Sequence, residues 1–321
     1  MLKVSVIIPT YNRAAFLSQC VESVLRQDYS NLEVVISDNA STDDTAATAA
    51  RYLSDQRVRY FRNSVNLGMV PNQRKGLFDY ATGDWAIVLD DDDYFFDASY
   101  ISKAMRLASE YHDVVIVHAN CRILYEKAGF HKDTDKRLPS IVDGRWMFLN
   151  YRYAVFGTVN FDKLTTLFNR KIALELDFFR EIILSADRES FLKLALRGRV
   201  GFISDVAAVY RVHGRNLSST FSVDDFFANM KAVLNPYDFA RRLHLFEAKN
   251  LDRWKRRMVR ESAEIVLIGM VTGQNFSMSA TKDFTLRLCR EYPFCWRALL
   301  GLLRPKILAK FCLNRLRQVS T

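Results

Sequence analysis

The first 93 residues alternate short apolar runs, rich in β-branched residues, with segments of helical periodicity. Four runs have the length and composition of buried strands: Val4–Ile8, Leu32–Ile36, Val58–Phe61 and Trp85–Leu89. Residues 14–26, 45–53 and 73–81 predict helices between them, and Ser41 with Asp44 predicts a capping box before the second helix. Strands that alternate with helices predict an α/β fold, in which a mostly parallel sheet carries helices on both faces.

Polar residues follow each of these runs, at the end where the strand would finish. They are Thr10–Arg13, Asp38, Asn66–Gly68 and Asp90–Asp93. Ligands of open α/β sheets bind beyond the carboxyl ends of the strands, so these four loops predict one cleft lined with hydrogen-bond donors and acceptors. For Asp38 taken alone, a helix cap is the alternative interpretation.

Four consecutive carboxylates, Asp90–Asp93, directly follow the fourth apolar run. Carboxylates packed this closely repel one another strongly in a partly buried cleft. A divalent cation removes that repulsion, and carboxylate oxygens suit Mg²⁺ and Mn²⁺. The alternative is a solvated acidic loop without a ligand. The chain contains neither GxGxxG nor GxxxxGK[ST], which disfavours a Rossmann dinucleotide site and a P-loop.

Charge divides the 321-residue chain into two parts. Residues 222–321 contain 18 Lys and Arg against 9 Asp and Glu, whereas the whole chain has a net charge of +10, so residues 1–221 carry only +1. The five cysteines form no CxxC pair, no secretory signal pattern opens the sequence, and no run reaches the roughly 18 apolar residues of a membrane span. We therefore expect a cytoplasmic protein with reduced thiols.

Five segments in this order resemble the GT-A fold, family 2 glycosyltransferases. They are Val6–Arg13, Ser37–Asp43, Asn66–Gly68, Ala81–Asp84 and Leu89–Asp93. The resemblance covers residues 1 to about 215 and implies an inverting enzyme with a nucleotide-sugar donor. It also implies a GT-A domain over residues 1–221, with a nucleotide-sugar-binding half at 1–117 and an acceptor and catalytic half at 118–221. Residues 222–321 then form a separate, basic and helical region.

The resemblance assigns roles to individual residues of this chain. The metal ligands it implies for Mn²⁺ or Mg²⁺ are Asp92, Asp90 and His213. The implied contacts to the nucleotide-sugar donor are Pro9, Thr10, Tyr11, Asn12, Arg13, Asp38, Asn66, Gly68, Asn72, Arg74, Asp90, Asp91 and Arg211.

An inverting transfer needs one general base within hydrogen-bond reach of the acceptor hydroxyl. Residues 186–189 resemble the family's ED-x-[DE] segment, which makes Asp187 the expected base and Glu189 the alternative. The residues alone allow Asp187 to be simply a favourable charge at a helix N-terminus. Two positions depart from the family pattern: Asn39 stands where the family has Asp, and Ala186 stands where it has Glu.

Residues 118–185 hold the expected acceptor pocket. Trp146, Tyr151, Tyr153 and Phe156 are able to stack on sugar faces, but aromatic residues at this density also suit a hydrophobic core.

The C-terminal region is predicted to be helical, and its last part is amphipathic and basic. From Trp296 to Arg317, leucines and aromatic residues interleave with Lys and Arg. Such a segment suits an anionic membrane surface, and the alternative is that its apolar face packs as core. Nucleic-acid binding is not expected, because no RRM, KH or zinc-finger pattern accompanies the charge.

Together these features predict a metal-dependent inverting glycosyltransferase of the hexosyl or N-acetylhexosaminyl type. We expect a UDP-sugar donor, a glycan or lipid-linked acceptor in surface polysaccharide synthesis, and a peripheral position at the inner face of the cell membrane. The alternative is a non-catalytic relative that binds a nucleotide sugar or a glycan. The residues leave the donor sugar, the linkage and the oligomeric state open.

The basic segment generates a testable prediction. Binding to anionic vesicles is expected to be reversible and weakened by salt, since surface charges are screened over roughly 8–10 Å at physiological ionic strength. Removing residues 293–321 should release the protein in a vesicle co-sedimentation assay and leave nucleotide binding unchanged. Unfolding of the truncated protein, or indifference of the full chain to anionic lipid, would mean that this segment packs as core.

Overall fold

Strand β1 (Val4–Thr10) is buried along its whole length and has parallel neighbours on both sides. Strand β2 (Leu32–Asp38) pairs with it on one side, and β4 (Trp85–Val88) pairs on the other. Strand β3 (Val58–Arg62) adds to β2, again in parallel. Val and Ile dominate β1 and β2 because strands covered on both faces need apolar residues at consecutive positions.

The structure is a computed structural model that describes residues 1–152, 158–213, 222–272 and 277–295. These residues form two compact units. The first contains residues 1–151 and 158–213, and the second contains Arg152 with the helices that follow residue 221. Within these described ranges, ten strands form one sheet, whose main path runs β3-β2-β1-β4-β9-β6-β10-β5.

The second half of the sheet is mixed. Its strands are β5 (Tyr94–Phe95), β6 (Val114–Tyr125), β7 (Phe130–Asp133), β8 (Ile141–Asp143), β9 (Leu167–Asn169) and β10 (Arg199–Val212). Strand β9 lies antiparallel to both β4 and β6, β10 runs parallel to β6, and β5 and β8 are antiparallel to β10. The α/β class predicted from the sequence is confirmed, and the antiparallel pairs are an addition that the periodicity did not indicate.

Seven α-helices are described in the first unit. They are α1 (Ala14–Leu25), α2 (Thr45–Ala50), α3 (Met69–Lys75), α4 (Tyr100–Glu110), α5 (Gly144–Asn150), α6 (Arg170–Glu175) and α7 (Ala186–Ala195). Helix α1 covers one face of the sheet, where Leu17, Val21 and Val24 join Val6 and Ile8 in a continuous apolar core.

The helix predicted at 73–81 begins earlier in the structure and changes its hydrogen-bond pattern midway. Helix α3 begins at Met69 and carries Pro71 in its first turn, where the missing N–H costs no hydrogen bond. Residues Gly76–Tyr80 continue as a π-helical turn, closed by the Ala81 N–H and the Gly76 carbonyl at 2.9 Å. A Cβ at Gly76 would lie 2.6 Å from Ile7 Cγ2, so glycine permits this close approach to β1.

The predicted capping box at Ser41 is wrong. The Ser41 hydroxyl instead accepts from the Asn12 backbone N–H at 2.9 Å, and Asp44 is the N-cap of α2. Asp43 takes over the stabilising role, because its carboxylate accepts from the backbone N–H groups of Thr45 and Ala14. A contact between two loops therefore replaces the local cap.

The second unit is helical, as predicted. Its helices are α8 (Val223–Asn229), α9 (Lys231–Arg242), α10 (Ala248–Thr272) and α11 (Met278–Glu291). Phe226 packs edge-on against both Phe227 and Phe284, and Trp254 is buried. Among the residues whose structure is described, no helix is both long enough and apolar enough to cross a membrane. The basic segment from Trp296 to Arg317 lies outside the described residues.

Glu33 is a charged residue buried on β2, directly opposite Ser5 of β1. It accepts from the Ser5 hydroxyl at 2.6 Å and from the Thr82 N–H at 2.7 Å, and it pairs with Lys3 at 2.8 Å. Burial raises the pKa of this carboxyl, but the bonds from Lys3, Ser5 and Thr82 outweigh it and lower the pKa to about 2. The network joins the start of β1 to the turn before β4.

We expect Glu33→Gln to lower the free energy of unfolding at pH 7 by up to about 3 kcal/mol. Because the pKa of Glu33 is lower in the folded than in the unfolded chain, its contribution is complete above about pH 4.5. It is then lost as the pH falls toward about 2. Urea unfolding at pH 7 and at pH 3 measures both values, with the exposed Glu110→Gln as the control. A difference from wild type that is the same at both pH values would contradict this account.

Candidate active site

The loop after β1 and the loop after β2 hold each other in place. Asn12 has a left-handed backbone (φ 53°), which asparagine tolerates better than most residues. Its side-chain oxygen accepts from the Thr42 N–H at 2.7 Å, and its own N–H donates to the Ser41 hydroxyl. The Asn39 N–H also bonds the Thr10 carbonyl at 2.9 Å. The predicted convergence of these loops at one sheet edge is therefore built from direct hydrogen bonds.

Asp38 is fully buried at the end of β2. One carboxylate oxygen accepts from the Ser41 N–H at 2.8 Å, and the other accepts from the Tyr60 hydroxyl at 2.5 Å. Burial and the neighbouring Asp38 carboxylate raise the pKa of Tyr60, which keeps that hydroxyl a donor. The oxygen that accepts from Tyr60 also lies 3.7 Å from the Arg62 guanidinium.

Asn39 clamps the loop at 66–68. Its NH₂ donates to the Asn66 side chain at 2.7 Å and to the Gly68 carbonyl at 3.2 Å. Its side-chain oxygen accepts from Asn63 at 3.1 Å and from the Leu67 N–H at 2.9 Å. A carboxylate cannot donate, so Asp at this position would face two acceptors. The amide at position 39 thus has a structural reason in this chain.

The Asn72 side chain connects α3 to the sheet. It is buried, donates to the Ser37 carbonyl at 2.8 Å, and accepts from the Ser37 hydroxyl and from Asn63, each at 2.8 Å. These bonds engage its side-chain oxygen and one N–H of its amide within the protein.

Arg74 connects α3 to the loop before α7. Its guanidinium donates to the Phe178 carbonyl at 2.8 Å, pairs with Asp177 at 2.6 Å, and lies 4.0 Å above the Phe78 ring. The prediction that Asn72 and Arg74 contact a nucleotide stays a prediction, and in this structure both side chains organise the walls of the cleft.

The carboxylates after β4 form a compact cluster. One oxygen each from Asp90, Asp92 and Asp93 lies within 4.8 Å of the others. Burial, with repulsion from neighbouring carboxylates, raises the pKa of Asp90 and Asp93, and raises that of Asp91 to about 7. A divalent cation would relieve both effects, and an all-carboxylate donor set fits Mg²⁺ or Mn²⁺. The residues present therefore fit a metal site.

Basic groups and N–H donors from both halves of the first unit surround this cluster. The Arg13 guanidinium contacts Asp92 directly and lies 3.4 Å from Asp91. His213 Nε2 lies 3.0 Å from the same Asp92 oxygen that Arg13 contacts. The Arg211 backbone N–H donates to Asp93 at 3.0 Å.

The side chains of Arg211 and His213 share an aromatic surface on α1. The His213 ring stacks on Phe16 with centroids 5.0 Å apart, and the Arg211 guanidinium lies 5.3 Å from the same ring. Arg211 also faces Tyr94 at 4.9 Å and bonds Gln19. This packing holds two predicted site residues, which lie at the end of β10, beside the carboxylate cluster. Residues 214–221, which follow, lie outside the described residues.

Lys163 is a site residue that the sequence analysis missed. Its ammonium nitrogen lies 2.6 Å from one Asp90 oxygen and 2.7 Å from the other. Burial lowers the pKa of Lys163, but the nearby Asp90 and Asp187 outweigh it and raise the pKa overall. No motif marks this lysine, because its partner lies 73 positions away in the sequence.

The two candidate bases on α7 have different surroundings. Glu189 is buried and pairs with Lys193 one turn later at 2.9 Å. Asp187 is half-buried in the first turn and interacts electrostatically with Lys163 and Asp90. Ala186 is buried, so a glutamate there would bring a charge into the core. Asp187 therefore interacts with the carboxylate cluster, whereas Glu189 is buried and paired with Lys193.

The aromatic candidates for the acceptor pocket divide into two groups. Trp146 is half-exposed on α5, whereas Tyr151 is buried and packs against Phe161. Tyr153 and Phe156 lie outside the described residues.

Comparison with known proteins gives consistent matches. The family model described as Glycosyl transferase family 2 matches residues 5–176. The GalNAc(5)-diNAcBac-PP-undecaprenol beta-1,3-glucosyltransferase of Campylobacter jejuni is 37% identical over 131 residues, 40% of each chain. The poly(ribitol-phosphate) beta-N-acetylglucosaminyltransferase TarS of Staphylococcus aureus is 24% identical over 311 residues, 94% of this chain and 49% of TarS. The chain thus spans half or less of the length of these two relatives.

Solved structures show the same architecture. TarS residues 1–349 in complex with UDP-GlcNAc superimpose with a TM-score of 0.69 at 18% identity, covering 98% of this chain and 89% of that one. The mannosyltransferase PcManGT of Pyrobaculum calidifontis, in complex with GDP-Man and Mn²⁺, gives a TM-score of 0.55 at 18% identity, covering 98% and 87%. At these identities the likeness establishes the fold.

The carboxylate cluster generates a prediction that needs no substrate. We expect the protein to bind Mn²⁺, and Asp92→Asn to weaken that binding at least tenfold, because a neutral amide oxygen is a poorer ligand than a carboxylate. Isothermal titration calorimetry measures both affinities. The exposed Asp79→Asn is the matched control and should bind Mn²⁺ like the parent. Equal Mn²⁺ affinity in the Asp92 variant would exclude Asp92 as a ligand.

Proposed function

Because this chain belongs to glycosyl transferase family 2 and has the GT-A fold that its sequence predicts, we propose that it transfers a sugar from a nucleotide-sugar donor to an acceptor hydroxyl with inversion at the anomeric carbon. The observation that carries the proposal is the arrangement at the end of β4. The Asp90–Asp93 cluster, Arg13, His213 and Asp187 belong to one electrostatic network within the first unit.

The donor is proposed to be a UDP-sugar of the hexosyl or N-acetylhexosaminyl type. TarS has been solved with UDP-GlcNAc and with UDP, which supports this choice, whereas PcManGT was solved with GDP-Man. We place the nucleotide against the linked loops after β1, β2 and β3, beside Asp38. Tyr11 is half-exposed beside them and is able to contact a base or ribose.

Asp92 and Asp90 are the proposed ligands for Mn²⁺ or Mg²⁺, and the cluster geometry adds Asp93 to them. The metal, when bound, would neutralise charge on the donor diphosphate. His213 stays a proposed third ligand, and because both His213 and Arg13 contact Asp92, they would also orient that carboxylate from the protein side. The guanidinium groups of Arg13 and Arg211 supply positive charge toward the departing nucleotide diphosphate.

Asp187 is the proposed general base. The acceptor hydroxyl gives its proton to the Asp187 carboxylate while its oxygen forms a bond to the anomeric carbon. The bond from that carbon to the diphosphate oxygen breaks on the opposite face, and its electron pair leaves with the nucleotide diphosphate. Glu189 is a weaker candidate, because proton transfer to it would disrupt its buried pair with Lys193.

The departures from the family pattern do not favour the non-catalytic alternative. Asn39 is needed as a donor to Asn66 and Gly68, and Ala186 is buried at the start of α7. Both positions therefore have a structural explanation in this chain. The proposed base Asp187, the carboxylate cluster and its basic partners are all retained in this chain.

The acceptor is proposed to be a glycan or a lipid-linked glycan in surface polysaccharide synthesis. The named relatives support this class, since one acts on a PP-undecaprenol-linked glycan and another on poly(ribitol-phosphate). We further propose that residues 1–221 form the catalytic domain. In this proposal the basic region at 222–321 associates with the anionic inner face of the cell membrane.

Asp187→Asn tests the assignment of the base. The variant keeps the side-chain shape but removes proton acceptance, so transfer should fall by roughly 10²–10⁴ while donor affinity persists. Nucleotide release measures turnover, and calorimetry with UDP and Mn²⁺ measures binding. Glu189→Gln is the matched comparison, and it should lower thermal stability more than turnover. An unchanged rate in the Asp187 variant would move the role to another residue, and a parent without turnover on any donor would favour the non-catalytic alternative.

A further inference from the structure

Lys163 is held in place by the core of the sheet rather than by its own helix. It begins the short 3₁₀ turn Lys163–Thr165, in which the Asp162 carbonyl accepts from the Thr165 N–H at 3.0 Å. The Asp162 carboxylate pairs with Lys136, whose side chain is only 1% exposed. The Thr165 hydroxyl donates to the Ala119 carbonyl of β6 at 3.0 Å. The backbone that carries Lys163 is thus fixed at both ends.

The ammonium group of Lys163 is placed at the edge of the carboxylate cluster. It contacts both oxygens of Asp90, and its side chain is only 16% exposed. It also interacts electrostatically with Asp187 and Asp93. A lysine has three N–H donors, so an ammonium that binds two Asp90 oxygens keeps a donor for a further partner. Lys163 therefore contacts a candidate metal ligand directly and acts electrostatically on the proposed base.

We propose that Lys163 is a positioning residue of the transfer reaction, serving as a built-in counter-cation that competes with the divalent ion for Asp90 and orients the Asp187 carboxylate. The second part rests on the proposed function, because it takes Asp187 as the base. The first part concerns only this chain and a metal ion.

The two parts have effects of opposite sign when Lys163 is removed. Without its ammonium, the carboxylate cluster loses a nearby positive charge, so a divalent cation meets less repulsion and binds more tightly. Without the same ammonium, Asp187 loses the charge that orients it, so turnover falls. A residue with a merely structural role would weaken both properties or neither.

Lys163→Met is the first variant, and the exposed Lys171→Met on α6 is its control. We expect Lys163→Met to bind Mn²⁺ about tenfold more tightly by calorimetry in the absence of nucleotide. We also expect kcat to fall by about 10²-fold, with donor KM changed less than about threefold. Lys163→Arg keeps the charge and should restore Mn²⁺ affinity to near the parent value. Parent-like kcat, or weaker Mn²⁺ binding in a folded Lys163→Met protein, would overturn the proposal.

A double-mutant cycle separates positioning from general loss of structure. If Lys163 acts through Asp187, adding Lys163→Met to Asp187→Asn should lower kcat by less than about threefold further. A loss that multiplies in full would overturn the positioning role. Lys163→Gln replaces Lys163→Met if thermal unfolding shows that the latter does not fold. Should the parent transfer no sugar at all, the proposed function fails, and the Mn²⁺ titration alone still decides whether Lys163 competes with the metal.

Discussion

The close packing of four adjacent carboxylates, three of them buried, is the constraint on which the site depends. Asp91, Asp92 and Asp93 are buried at the end of β4 and Asp90 is half-buried beside them, and the raised pKa values of Asp90, Asp91 and Asp93 report the cost of placing charge there. Positive charges and hydrogen-bond donors from distant segments of the chain offset that cost. Arg13 comes from the loop after β1, Lys163 from the turn before β9, and His213 from the end of β10. The mixed second half of the sheet, through β9 and β10, brings Lys163 and His213 to this cluster.

Much of the first half of the fold could be predicted because its determinants are local. Val and Ile dominate the short runs of β1 and β2, which Ser5 and Glu33 interrupt only once each, and the polar residues that follow mark the ends of the strands. The same locality explains why the edge of the sheet, and the segments that form the cleft, were identified from the sequence alone.

The remaining features depend on contacts that no short window contains. The sequence predicts that the Ser41 hydroxyl caps the helix that follows it. In the structure, this hydroxyl instead accepts a hydrogen bond from the backbone N–H of Asn12, 29 positions away in the sequence. Lys163 binds Asp90, which is 73 positions away in the sequence, and Arg74 donates to the Phe178 carbonyl, which is 104 positions away. The antiparallel position of β9 likewise follows from pairing with β4 and β6, not from its own three residues.

The ion pair between Arg74 and Asp177 restricts which residues can occupy position 177. Asp177 has a left-handed backbone with φ 55°, a conformation that glycine, asparagine and aspartate adopt most readily. Of these three, only aspartate also supplies the negative charge that Arg74 binds. Position 177 is therefore restricted twice, once by backbone geometry and once by charge. Lineages that lose the arginine at 74 should accumulate asparagine or glycine at 177, so the two positions are expected to vary together during evolution.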